Sequence, residues 1–195
     1  MANSTIAPNN LIKVNNTNNP QCVTYYHYQG EVYCSTVKLP TSDSYISETV
    51  KNSEQQHIIF DHRLWQAAWG KQDNITTIEY IPSDENINNW HELITTQYIP
   101  KSIKEITPKE YLDITLNSFK REELNPKIII HEQTPQEIIF EFQLSSPANL
   151  VQDELQKITQ TPKGLYILHY VIKKSDMGEN NRQMWLNNLK ASTIK

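Results

Sequence analysis

The chain has 195 residues, a net charge of −4, a pI near 5.9 and a mean hydropathy of −0.62, which excludes the basic excess of a general nucleic-acid or anionic-membrane binder. Its four glycines, Gly30, Gly70, Gly164 and Gly178, stand far apart, so neither a phosphate-cradling loop nor a strand–turn–helix nucleophile elbow can be assembled. No apolar run approaches the length of a membrane-spanning helix.

In chain order, residues 1–20 contain seven asparagines and little to bury, so they read as a disordered or peripheral arm. An apolar island in it, Leu11, Ile12 and Val14, is suited to docking on the domain or on a partner. A tyrosine-rich β-ribbon follows, with YYHY at 25–28 and EVYCSTV at 31–37 flanking a two-residue turn at Gln29-Gly30. In that register paired residue numbers sum to 59, which sets Cys34 opposite Tyr25 and Cys22 opposite Val37. The two sulfurs would then lie roughly 10 Å apart along the ribbon, too far for a disulfide. A longer turn centred on Tyr28 would align them instead. Free thiols in a reducing compartment are the expectation, with a disulfide as the alternative.

Ser42 or Asp43 is positioned to cap a short helix over 44–53, which completes a segment 21–56 ahead of a core domain at 57–195. From His57 the pattern turns sheet-like. HIIF (57–60) is a short apolar run, and ITTIEYI (75–81) is a strand with Thr76, Ile78 and Tyr80 inward. A helix is predicted over 84–93, with Ile87, Trp90, His91 and Ile94 at helical spacing, and a strand over 93–99. Thr107-Pro108 is an N-cap followed by proline at the first helical position, which predicts a second helix to about Leu124. Strands follow at 127–133, 137–145, 150–160 and 164–173, then a last helix at 178–190 with Met184, Trp185 and Leu189 inward. Hairpin-linked strands between helical regions predict a single α+β domain, an antiparallel β-sheet flanked by three to four helices.

Chemistry-bearing constellations are sparse. HELIT (91–95) has Thr95 where the zinc motif HExxH has its second histidine. His57 and His62 have no third ligand, and Cys34 sits mid-strand rather than at a helix N-terminus that would activate it. The expectation is no catalytic site, no metal and no cofactor. Trp65, Trp69, Trp90 and Trp185 read as core residues. Tyr25, Tyr26, Tyr28 and Tyr33 fall on both faces of the ribbon, so one face can pack while the other offers rigid aromatic area to a protein partner. Together with Leu11, Ile12 and Val14 they are the candidate partner-binding residues.

The stretches WQAAW (65–69), ITTIEYIP (75–82), ENINNWHELITTQ (85–97), GLYILHYVIK (164–173) and MWLNNL (184–189) together resemble a poorly characterised bacterial family of small α+β proteins. That resemblance covers about two-thirds of the chain and implies a fold akin to helix-flanked antiparallel sheets of the PsbP and Mog1 type. It carries no catalytic residues. Members of that family often look exported. Here the opening MANSTIAPNN has neither a basic n-region nor an apolar h-region, and no cysteine follows Cys34. The expected location is therefore the cytoplasm, or the periplasm or exterior if a signal peptide has been removed.

In size, charge and composition the chain is similar to acidic cytosolic adaptors of type IV secretion coupling complexes, of the LvgA-like kind. The function expected is a non-catalytic adaptor with protein partners, no nucleic acid and no membrane insertion. The alternative is a periplasmic or secreted domain that binds a small ligand between sheet and helices.

Overall fold

Alternating side chains from 65 onward build strands long enough to share one sheet, and the computed structural model describes it over residues 11–28, 31–36 and 46–195. In chain order the elements are β1 (Ile12–Val14), β2 (Thr24–Tyr28), β3 (Glu31–Ser35), α1 (Glu48–Lys51), β4 (Gln56–His57), β5 (Trp65–Gln72), β6 (Thr76–Pro82) and β7 (Glu92–Pro100). Then come α2 (Pro108–Arg121), β8 (Lys127–Gln133), β9 (Glu137–Leu144), β10 (Gln152–Thr161), β11 (Gly164–Ile172), α3 (Glu179–Ala191) and β12 (Thr193–Ile194). Ten strands form one antiparallel sheet in the order β1-β3-β2-β5-β6-β7-β11-β10-β9-β8, and β4 pairs with β12 beside it. The fold is thus sheet-dominated α+β, with three helices among the described residues.

The sheet is two meanders joined edge to edge. One is β5-β6-β7 and the other is β8-β9-β10-β11, and α2 carries the chain across so that β11 returns against β7. Both faces are covered. On the first, α3 lays Trp185 and Leu189 onto Tyr80, Leu155, Leu168 and Tyr170. There Tyr170 stacks on Trp185 with centroids 4.1 Å apart, and Trp65 meets the same indole edge-on at 5.6 Å. On the second face, α2 covers Ile138, Phe140, Ile158 and Ile167 through Leu112, Leu116 and Phe119. Each large side chain buried in this way contributes about 1.5–3 kcal/mol.

Local chemistry explains the elements that match expectation. Thr107 accepts from the Glu110 backbone N–H while the Glu110 carboxylate reaches back to the Thr107 N–H, a reciprocal cap on α2 with Pro108 beside it. The strands at 127–173 follow the expected order and hairpin pairing. Gly164 holds φ +153°, and a Cβ there would lie 2.2 Å from the Ile99 carbonyl oxygen. Only glycine permits that approach of β11 to β7.

Five expectations are corrected. The helix at 84–93 is a single 3₁₀ turn at Ile87–Asn89, because the Asn86 side chain accepts from Asn88 N–H and closes the turn, after which Trp90 is already extended. HELIT therefore lies on and just before β7, not on a helix. HIIF contributes only His57 to a strand, the two-residue β4. The short helix starts at Glu48 under a Ser47 cap, while Ser42, Asp43 and Tyr45 lie outside the described residues, as do the Gln29-Gly30 turn and residues 1–10. Of the four tryptophans, Trp65 and Trp185 are fully buried, whereas Trp69 and Trp90 are only partly covered.

The fifth correction concerns the cysteines. The ribbon keeps the expected register, with Tyr25 opposite Cys34, yet Cys22 and Cys34 form a disulfide with Cα atoms 5.5 Å apart. The ladder ends at Thr24, and the chain before it folds back, with Cys22 N–H donating to the Asn19 carbonyl. Extrapolating a straight strand to Cys22 misplaced it. Among the described residues neither cysteine is free.

Candidate functional site

A three-stranded flap, β1-β3-β2, extends the sheet past β5. It forms because the apolar island pairs with β3, Ile12 opposite Cys34 and Val14 opposite Val32, so that part of the arm docks on its own chain. The disulfide ties the flap's entry to its central strand. Between the flap and the α1–β4 segment lies a cavity of about 420 Å³, within the size range of small-molecule sites.

The cavity is assembled from segments distant in sequence. Val14, Tyr25, His27 and Val32 come from the flap, Ala67 and Tyr80 from the sheet, and Lys51, Glu54 and His57 from α1 and the segment after it. Gly70 admits that segment: a Cβ there would lie 2.6 Å from the Ile46 side chain and 2.9 Å from that of Val50. Gln56 anchors it by donating from its side-chain amide to the Ile167 carbonyl at 3.1 Å. The Thr17 hydroxyl and the Asn52 side chain hydrogen-bond across the opening between flap and helix.

Electrostatics inside the cavity are uneven. The His27 ring stacks on Phe60 at 5.2 Å and meets Tyr80 edge-on at 5.3 Å. Burial, reinforced by Lys195, His57 and Lys51, pushes its pKa down to about 4, so at neutral pH it is an uncharged imidazole with one donor and one acceptor nitrogen. The Tyr80 hydroxyl is pushed well above the usual phenol range by burial and by Glu54, and it stays protonated as a donor. Glu54 is fully engaged: one oxygen accepts from Tyr80 at 2.8 Å and Thr96 at 2.5 Å, and the other accepts from Gln56 N–H. Aromatic and aliphatic walls with a few fixed polar groups are the usual make-up of a small-molecule site.

The sequence-derived candidates separate. Tyr25 is buried, lines the cavity, and donates its hydroxyl to the Asn19 carbonyl at 3.0 Å. Val14 joins it in the same wall. Tyr26 is fully buried on the other face with Leu11 and Leu64, and Tyr33 packs partly against that cluster. Ile12 is 44% exposed on the edge strand, and the Tyr28 side chain lies outside the described part. Tyr25, Tyr26 and Leu11 are therefore buried rather than presented at the protein surface, Tyr25 facing the cavity. Sequence reasoning passed over Glu54, Tyr80 and Lys51, whose only signal is three-dimensional convergence.

No helix is long and apolar enough to cross a membrane among the described residues. Among proteins of curated function, none matches the chain. Residues 53–195 match the profile of an uncharacterised bacterial family, and the chain belongs to that family.

Proposed function

We propose that this protein is a non-catalytic domain that binds one small ligand of mixed apolar and polar character in the cavity between flap and sheet, in an oxidising compartment. The single observation that carries the reading is the cavity itself. Its size suits a small molecule, and its aromatic walls surround a neutral imidazole. The family match starts at residue 53, so one wall belongs to the shared domain and the other to the flap. Ligand choice would then reside in flap residues Tyr25, His27 and Val32. The Cys22–Cys34 disulfide supports the compartment, since such bonds persist where thiols are not kept reduced.

A protein-interaction subunit is a second reading, and β1 favours it: a three-residue edge strand with Ile12 exposed offers unpaired backbone groups to a partner strand. Burial of Tyr25 and Tyr26 takes these two rings out of a partner surface, and a reducing cytoplasm is a poor match for the disulfide. The test is a fragment screen by ligand-observed NMR on wild type and on Val32→Trp, which fills the cavity from the flap. Hits lost in the variant support the ligand-binding reading. Equal binding to both proteins, or no hits, contradicts it.

A further inference from the structure

We propose that the opposite face of the sheet carries a separate site that binds an alkylammonium group between Trp69 and Glu79. The two residues are direct cross-strand partners on β5 and β6, brought to one face by the bulge between Ala67 and Trp69. With Ile87 and Asn88 of the 3₁₀ turn they line an open cavity of about 340 Å³. The site lies on the face away from the flap cavity and does not rest on the ligand reading given above.

What singles out Glu79 is its isolation. Every other carboxylate set into the sheet or its edge has a partner: Glu54 takes Tyr80 and Thr96, Asp61 and Glu92 take Arg63, Glu137 takes Lys157, Glu154 takes His169, and Glu141 and Asp153 take Arg182. Glu79 is half-buried, and among the described residues no hydrogen bond or ion pair is formed by its side chain. Burial pushes its pKa up and outweighs the opposing influence of His169, as for a carboxylate whose desolvation is only partly compensated. The nearby basic side chains already have carboxylate partners. Lys71 bonds Asp73 at 2.6 Å, and His169, in the same cross-strand row beyond Thr95, bonds Glu154 at 2.7 Å.

An external cation completes the site. The Trp69 indole lines the cavity beside Glu79, and an indole π system together with a carboxylate attracts a positive charge. Ile87 supplies apolar contact for an alkyl stem. A primary amine on a short aliphatic chain fits this set, and a lysine side chain has the same chemistry as a free small amine.

The test follows the Trp69 indole N–H by ¹⁵N NMR during titration with n-butylammonium, with its neutral isostere 1-butanol, and with N-acetyl-lysine methylamide at constant ionic strength. Butylammonium is expected to give a saturable shift, and butanol to bind at least about tenfold more weakly. Glu79→Gln and Glu79→Asp, checked for native fold by circular dichroism, are each expected to weaken butylammonium by about tenfold or more. Trp69→Leu, read on the Glu79 amide, weakens it by roughly 2- to 30-fold, the range of a cation–π contact. Tighter binding of the lysine derivative assigns the site to lysine side chains, and tighter binding of the free amine assigns it to small amines. Equal shifts with butylammonium and butanol, unchanged binding in both Glu79 variants, or no saturable shift overturns the proposal.

Discussion

Tyr80 and Glu54 meet at the floor of the flap cavity, where the buried phenol donates a 2.8 Å hydrogen bond to a carboxylate delivered by the segment after α1. Thr96, three strands into the sheet from the flap, donates to the same oxygen. One side chain therefore joins the cavity wall to the core. Glu54→Ala leaves two buried hydroxyls without their acceptor and is expected to cost about 1–3 kcal/mol in urea unfolding. Glu54→Gln keeps an acceptor oxygen and should cost less; equal losses in both variants would show that the hydrogen bonds are not the source.

Reducing the Cys22–Cys34 bond frees a short loop, 12 residues in sequence separation. On the chain-entropy model the closed loop contributes about 3 kcal/mol. The double variant Cys22→Ser with Cys34→Ser is predicted to lose about that much stability, with protection of flap amides lost before that of β10 and β11. Intact-mass measurement with and without reductant checks the bond itself.

The stability of α3 on the sheet should depend on pH through Asp153. Arg182 reaches from α3 to bond Glu141 at 2.9 Å and Asp153 at 3.3 Å, both carboxylates being fully buried. Burial, aided by the adjacent Glu141 charge, outweighs the hydrogen bond from the Met177 N–H and pushes the Asp153 pKa up to about 6. Burial also acts on Glu141, but hydrogen bonds from His131 and Arg182 outweigh it and hold that carboxyl below its ordinary value. A raised folded-state value means that the Asp153 contribution is complete below pH about 4 and is lost as pH rises through about 6. The Glu141 contribution runs the other way, present above its unfolded value and lost in acid. Asp153→Asn is predicted to flatten the decline between pH 4 and 6, measured by thermal unfolding across that window. Arg182→Met leaves both carboxylates without their cation and should cost about 3–5 kcal/mol at neutral pH.

Gly164→Ala tests the β11–β7 contact. A methyl group there would press on the Ile99 carbonyl, which is backbone and cannot swing aside. A loss of about 1–3 kcal/mol is expected, with chemical-shift changes centred on Pro100 and Lys101.

Much of the sheet is legible in the chain because its determinants are local. Thr107-Pro108-x-Glu110 specifies its own helix start, and the turns at 134–136 and 161–163 set the register of β8 to β11. The two faces follow from alternation, with Ile78 and Tyr80 inward as expected. Errors came where spacing and backbone chemistry disagree. Ile87, Trp90 and Ile94 keep a helical period, but three asparagines among residues 86–89 favour side-chain-capped turns over helix. Cys22 was placed by extending a strand that stops two residues later in the chain, at Thr24. The cavity had no sequence signal at all, because Val14, His27, Glu54 and Tyr80 converge only through the flap's pairing with β5, a contact made at His27 opposite Trp65.

The most direct measurement is a ¹⁵N NMR titration of the disulfide-intact protein with the tightest fragment from the screen, mapping shifts residue by residue. Binding in the flap cavity predicts the largest changes at Tyr25, His27, Val32, Ala67 and Tyr80, with the same titration silent in Val32→Trp. Shifts confined to other surfaces, or unchanged by filling the cavity, would contradict it.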